Sequence, residues 1–203
     1  MGYYLLTVVI GYLVGNLSPS YIIGKISENI DIRDYGSGNA GTTNTIRVLG
    51  AKAGVIVFLC DVMKGALATL IGLWLTGGDQ LGAVLSGGMA VIGHNWPVLL
   101  RFKGGKGIAS SFGLILVMFP KIGLILFLIA IVLVWITRYV SLGSISGAVL
   151  FPVLLAVFRE PPGIILIGVI LALIALYRHK DNIKRLLNGT ENKFSFSDSG
   201  KHD

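Results

Sequence analysis

The chain has 203 residues, 54% of them hydrophobic and 13% charged, with a formal net charge of +7. A mean hydropathy of +0.79 is more apolar surface than one water-soluble core can hide, which excludes a soluble globular domain and marks an integral membrane protein. The basic residues are punctuated by apolar runs and form no patch with interleaved aromatics, so nucleic acid is a poor partner and anionic headgroups or phosphorylated small molecules are good ones.

A bilayer core about 30 Å thick takes roughly 20 helical residues per crossing. The first apolar run, 3–24, is too long for a signal-peptide core and lacks a basic leader, so it is expected to remain as a first span. Gly11 and Gly15 within it suit close helix packing. Further spans are expected at 54–75, 80–92, 108–119, 122–136, 140–158 and 164–177. The third, fourth and fifth are short, which suggests that neighbouring loops dip to membrane depth against protein. The expected fold is thus an all-α, seven-span helical bundle with short or interrupted helices and re-entrant-like glycine loops. Residues 1–194 make one transmembrane domain and 195–203 a short polar tail, expected to be disordered.

Of the 17 Lys and Arg, Lys64 lies inside a span and only Lys121 and Arg159 face one side. The remaining fourteen fall in 25–53, 93–107, 137–139 and 178–203. That bias puts the glycine loops and C-terminus in the cytoplasm and the N-terminus outside, which requires an odd number of spans.

Three polar segments on the basic side interrupt the apolar pattern. The first is GSGNAGTTN at 36–44. Gly36, Gly38 and Gly41 permit close backbone approach to a ligand, and Ser37, Asn39, Thr42, Thr43 and Asn44 supply neutral hydrogen-bonding groups. Arg47 adds a planar fork suited to phosphate. The plain alternative is a polar turn that satisfies its own backbone. The second segment, GHNWPVLLRFKGGKG at 93–107, leads through Gly104, Gly105 and Lys106 into a helix start, where free N–H groups and a positive dipole end attract anions. It is no Walker A loop, because Leu100 stands at the first-glycine position and Gly107 replaces the magnesium-binding Ser or Thr. Anchoring at the headgroup level is the competing account of Arg101 and Lys103. The third segment, 177–193, is a basic amphipathic stub on which His179 and Asn182 share a helical face. Anchoring alone does not explain those two.

Asp61 and Lys64 are an i, i+3 pair inside the second span, suited either to fixing helix packing or to presenting Lys64 to a cavity. Cys60 is the single cysteine, which excludes an intramolecular disulfide. Three His without a Cys partner give no metal-ligand spacing, so no metal is expected.

Taken together, GSGNAGTTNTIRVLG, GHNWPVLLRFKGGKG and YRHKDNIKRLLNGTENK, with DVMKG at 61–65 and TRYVSLGSI at 137–145, resemble the bacterial acyl-phosphate:glycerol-3-phosphate acyltransferases, the PlsY family, along nearly all of the chain. The resemblance implies transfer of a fatty acyl group from acyl phosphate to the sn-1 hydroxyl of glycerol 3-phosphate, giving lysophosphatidic acid and phosphate, the first acylation in phospholipid synthesis. It also implies a cell-membrane protein of seven spans with a cytoplasmic-facing site. Ser37, Lys106 and His179 are then the candidate catalytic residues. Gly38, Asn39, Thr43, Asn44, Arg47, Gly104, Gly105 and Asn182 are the candidate substrate-binding residues. Besides membrane lipids, the enzyme that supplies acyl phosphate is a candidate partner.

The bare residues agree with such chemistry. Familiar glycerolipid acyltransferases carry an Asp five positions after a His, but His94 is followed at that offset by Leu99 and His179 by Lys184. An acyl phosphate is already activated, so holding two anions together and stabilising charge suffices, with no cofactor or covalent intermediate. The proton acceptor stays open between a donor phosphate oxygen and His179, with Ser37 as nucleophile a third route. A transporter or channel for a phosphorylated metabolite is the rival from another class. No inverted repeat supports it, and all three motifs lie on one face.

The charge asymmetry makes a topology prediction. In a Cys60→Ser background, a Gly200→Cys label should react with impermeant thiol reagent only after the cytoplasmic side is opened. Labelling of intact cells would reverse the orientation.

Overall fold

The computed structural model describes residues 2–194, and within them all regular structure is helical. The expected tail at 195–203, with Lys201 and Gly200, lies outside the described residues.

The first span is not continuous as expected. It divides into α1 (Gly2–Gly15) and α2 (Pro19–Glu28). Pro19 has no N–H and its ring crowds the preceding turn, so the helix ends there and restarts. The freed main chain finds partners: Asn16 Nδ2 donates to Tyr12 O at 2.6 Å, Val98 N–H donates to Asn16 Oδ1 at 2.6 Å, and Lys64 Nζ donates to Leu17 O at 2.6 Å.

The second expected span also begins earlier than its hydropathy suggests. Helix α3 (Thr42–Leu75) starts on Gly41, whose extended backbone serves as its N-cap, and bends at Gly50, where φ is 85° and ψ 170°. Only glycine takes that conformation readily. The polar residues 42–53 are therefore helical, because the loop before them and the packing after them supply what apolarity does not.

Then come α4 (Gln80–Asn95), α5 (Ile108–Met118), α6 (Pro120–Thr137), α7 (Val140–Val157), α8 (Pro162–Arg178) and α9 (Lys180–Leu187). His94 and Asn95, expected in a loop, complete the last turn of α4. The expected continuous stub after the last span instead bends by 62° between α8 and α9, with His179 at the corner. Among the described residues five segments are long and apolar enough to cross a bilayer, and the bent α8–α9 pair makes a sixth. A count of seven depends on α5, whose 11 residues rise about 16 Å, roughly half the hydrocarbon thickness.

Small residues let the backbones approach. Helix α1 lies against α4 with Gly11 facing the Ser86 main chain and Gly15 that of Ala90, while Gly65 and Gly113 seat α3 and α5 on one another. A larger apolar cluster containing Val84, Leu114, Ile122, Phe151, Leu155 and Leu171 joins α4 to α8. At one end of the bundle Tyr4 donates to Asp79 at 2.7 Å and Gln80 to Glu160 at 3.0 Å. At the other end the three polar segments converge.

Because a Cβ on Gly113 would meet the Val62 carbonyl, Gly113→Ala should cost about 1–3 kcal/mol of overpacking and lower the apparent melting temperature in detergent by several degrees. Gly147→Ala, where no heavy atom lies within 4 Å of the new Cβ, should lower nothing. Equal melting curves for both variants would contradict this account of helix approach.

Candidate active site

The three segments line one cavity of about 1060 Å³. Ser37, Gly38, Asn39, Thr43, Asn44 and Arg47 come from the first loop and the start of α3; Gly104 and Lys106 from the second loop; His179 and Asn182 from the α8–α9 corner. Residues separated by more than 130 positions thus meet because the helix ends that carry them lie at the same end of the bundle.

Asn44 organises the first loop. Its Oδ1 accepts from Ser37 N–H at 2.7 Å and from Ser37 Oγ–H at 3.1 Å, while its Nδ2 donates to the Ile32 and Tyr35 carbonyls, both at 3.0 Å. Both amide atoms of this buried side chain are engaged within the protein, so Asn44 shapes the loop. Gly36, at φ 61°, is required because a Cβ there would press on the Asn44 amide. The Ser37 hydroxyl donates to the Asn44 amide oxygen, and among the described residues it has no hydrogen bond to a base. Asn39, Thr43 and Arg47 are half-buried at the α3 N-terminus, where the helix dipole is positive.

The second loop differs from its sequence reading. The N–H groups of Gly104 and Gly105, expected to be free for an anion, donate to the Asn95 carbonyl at 3.3 Å and the His94 carbonyl at 3.1 Å. Gly105 is not part of the cavity wall. The loop is held against the end of α4, and the cations it offers to the cavity are the side chains of Lys103 and Lys106. The Lys106 ammonium is hydrogen bonded to Asn182 Oδ1. Burial pushes its pKa down to about 8, opposed by the Glu191 carboxylate and reinforced by the positive charges of Arg185 and Arg178.

His179 is buried at the corner of α8 and α9, and its Nδ1 lies 2.8 Å from the Ala175 carbonyl. A carbonyl only accepts, so Nδ1 carries the proton and Nε2 of the neutral ring is an acceptor. Burial, then the charge of Lys106, lowers its pKa to about 4. The ring is neutral at physiological pH and a weak base.

Glu191 escaped the sequence reading. Its Oε1 accepts from Asn182 Nδ2 at 2.7 Å and Ser141 Oγ at 2.8 Å, and its Oε2 from Arg185 Nε at 2.7 Å. Burial alone would raise this carboxyl, but those hydrogen bonds more than offset it and hold it below the usual carboxylate range. Because Asn182 Nδ2 is taken by Glu191, Oδ1 must face Lys106. The available signal was one carboxylate in a turn that follows a basic helix.

Asp61 and Lys64 pair as expected, at 2.8 Å, and take in His94, whose Nδ1 lies 2.8 Å from Lys64 Nζ and 3.2 Å from Asp61 Oδ1. Lys64 faces this cluster and the α1–α2 break, while Asp61 and His94 reach the cavity wall.

The match to known proteins covers the same ground. The family model described as glycerol-3-phosphate acyltransferase matches residues 5–189. The chain belongs to the glycerol-3-phosphate acyltransferase family. It is 51% identical over 191 residues to the glycerol-3-phosphate acyltransferase of Thermoanaerobacter sp. (strain X514), covering 94% of this chain and 96% of that one. Identity to that of Clostridioides difficile (strain 630) is 45%, covering 94% and 95%. Among solved structures it is similar to PlsY (YgiH), an integral membrane glycerol 3-phosphate acyltransferase, in its glycerol 3-phosphate form. There the TM-score is 0.89 at 36% identity, with 95% of this chain and 96% of that chain covered. The lysophosphatidic acid form of PlsY gives a TM-score of 0.87 at 35% identity, covering 96% and 97%.

For this acyltransferase the Lys106 titration has a definite sign. The ammonium is charged below about pH 8, so kcat/KM should fall as pH rises through that value, by up to about tenfold per unit. Lys106→Arg should flatten the alkaline limb, whatever its absolute rate. His179, already neutral above about pH 4, should add no inflection between pH 5 and 7. An alkaline limb unchanged by Lys106→Arg would assign it to another group.

Proposed function

We propose that this protein transfers a fatty acyl group from acyl phosphate to the sn-1 hydroxyl of glycerol 3-phosphate, releasing lysophosphatidic acid and inorganic phosphate. The observation that carries the reading is one cavity where Arg47 and the α3 N-terminus stand beside Lys106, Arg185 and the α5 N-terminus. Cationic side chains and two helix starts around one cavity suit two phosphate groups that must be brought together against their repulsion.

The same cavity has an apolar side. Ile46 and Phe58 of α3 and Ile108 and Ala109 of α5 face Val140 of α7 across it. Phe58 leads into a stack with Phe112, centroids 6.5 Å apart, and Phe112 with Phe127 at 5.3 Å. Helix α7 packs chiefly on α6 and α8, so this side suits an acyl tail supplied from the lipid.

In the reaction the sn-1 oxygen attacks the acyl carbon, the carbon–oxygen bond to phosphate breaks, and phosphate departs. Arg47 and Lys106 stabilise the phosphate charge through that change. The hydroxyl proton passes to a phosphate oxygen of the donor. His179 Nε2, an acceptor of low basicity, orients the hydroxyl of glycerol 3-phosphate, and Asn182 keeps Lys106 in place. Ser37 orients a substrate oxygen and forms no acyl-enzyme, since among the described residues its hydroxyl is hydrogen bonded to an amide and to no base. No cofactor enters.

We assign the chain to the bacterial cytoplasmic membrane, with seven crossings including α5, the N-terminus outside and the cavity facing the cytoplasm. Residues 1–194 act as one unit and 195–203 as a tail. The enzyme that makes acyl phosphate is the natural partner. The family's bacterial membership and the basic residues gathered at the cavity end support this placement.

Purified protein with acyl phosphate and glycerol 3-phosphate should release phosphate and form lysophosphatidic acid, and acyl-CoA or acyl carrier protein alone should give little product. Comparable turnover with either would overturn the donor assignment. His179→Gln, which keeps a hydrogen-bonding group, should retain measurable turnover. A loss on the order of 10²- to 10⁴-fold, with disappearance of one titration from the pH–rate profile, would make His179 the general base.

A further inference from the structure

Arg178 belongs to the third polar segment and lines the cavity, but has no part in the chemistry assigned above. It is the last residue of α8 and immediately precedes His179. Its Nε donates to the Gly105 carbonyl at 3.0 Å, and its Nη2 to the Gly105 carbonyl at 2.7 Å and the Gly104 carbonyl at 3.0 Å. The guanidinium carbon also sits 5.5 Å from the centre of the Trp96 ring. The Nε–Nη2 edge of the fork is therefore turned onto main-chain carbonyls, and one face is stacked on an aromatic platform.

Those carbonyls belong to the residues that carry Lys106. In a planar trans peptide the C=O of one residue and the N–H of the next point in opposite directions. Holding the Gly104 carbonyl directs the Gly105 N–H away from Arg178, and that N–H meets the His94 carbonyl at 3.1 Å. Holding the Gly105 carbonyl fixes the plane of the peptide that begins Lys106. The loop has no room to recoil, because a Cβ on Gly105 would strike the His94 imidazole. One turn further along the chain, Asn182 holds the Lys106 ammonium. The α8–α9 corner thus grips the second loop twice, by its main chain and by its lysine.

From this arrangement we infer that Arg178 is a positioning residue for the acyl transfer, acting on substrate phosphate through the Gly104–Gly105 main chain and Lys106. It rests on the reading of the cavity as a phosphate site, but the grip itself is measurable without any substrate. A lysine at 178 keeps the charge and loses the fork, so it separates positioning from general attraction of anions.

The test compares wild type, Arg178→Lys, Lys106→Ala and the double variant. Arg178→Lys should raise KM for glycerol 3-phosphate about tenfold or more, the worth of a charge-assisted hydrogen bond, with a smaller effect on kcat. In the Lys106→Ala background the same substitution should add little, because residues acting in series are not additive. Wild-type KM in Arg178→Lys, or full losses that multiply in the double variant, would overturn the inference in favour of a direct or purely electrostatic role. Amide hydrogen exchange supplies a readout that needs no turnover. Arg178→Lys should accelerate exchange in 102–108 while α8 stays protected, and unchanged exchange in that segment would refute the grip. If wild type shows no transfer to glycerol 3-phosphate, the functional reading fails and the exchange result still judges the grip.

Discussion

A chain that leaves helical geometry at the edge of a bilayer must find a partner for every main-chain group it frees, since lipid offers none. That constraint governs the working end of this bundle. The α1–α2 break is held by Asn16, Lys64 and the Val98 N–H; the first glycine loop by the Asn44 amide; the second by the carbonyls of His94 and Asn95 and by Arg178. The partners come from α3, α4 and α8 and from the segments that follow α1 and α4. The loops are therefore fixed by the bundle as a whole, and the side chains they carry inherit that rigidity.

With the backbone satisfied internally, the recognition of anions falls to side chains and to helix starts. Arg47 stands at the opening of α3 and Lys106 just before α5. Burial makes the Lys106 ammonium easier to neutralise, and the Glu191 carboxylate partly restores it. A carboxylate in a cavity proposed to hold phosphates looks counterproductive, but its oxygens are committed to Asn182, Ser141 and Arg185. It settles which end of the Asn182 amide meets Lys106. In the proposed transfer such preorganised donors would need no reorganisation as charge moves to the departing phosphate, which is where electrostatic catalysis is strongest.

Much of this was legible in the chain, and the parts that were not share a cause. Apolar runs disclosed the bundle, and the three polar segments disclosed which residues would meet, because Lys, Arg and His are costly at such depth unless used. Hydropathy averages over a turn and so passes across the break at Asn16–Ser18, which depends on Pro19. It also missed the helical character of 42–53, where Gly41 and Gly50 punctuate a polar stretch. Hydrogen-bond direction is invisible to spacing. Asn44 resembles a ligand-binding residue in the sequence and is a scaffold in the structure; the Gly104 and Gly105 amides look free and are engaged; Arg178 looks like an anchor and grips a loop.

The central claim is that both phosphorylated substrates occupy this one cavity together. The direct measurement is calorimetric titration of glycerol 3-phosphate into protein already saturated with a non-hydrolysable acyl phosphonate. The account predicts that glycerol 3-phosphate still binds, forming a ternary complex. Mutual exclusion of the two ligands would contradict it.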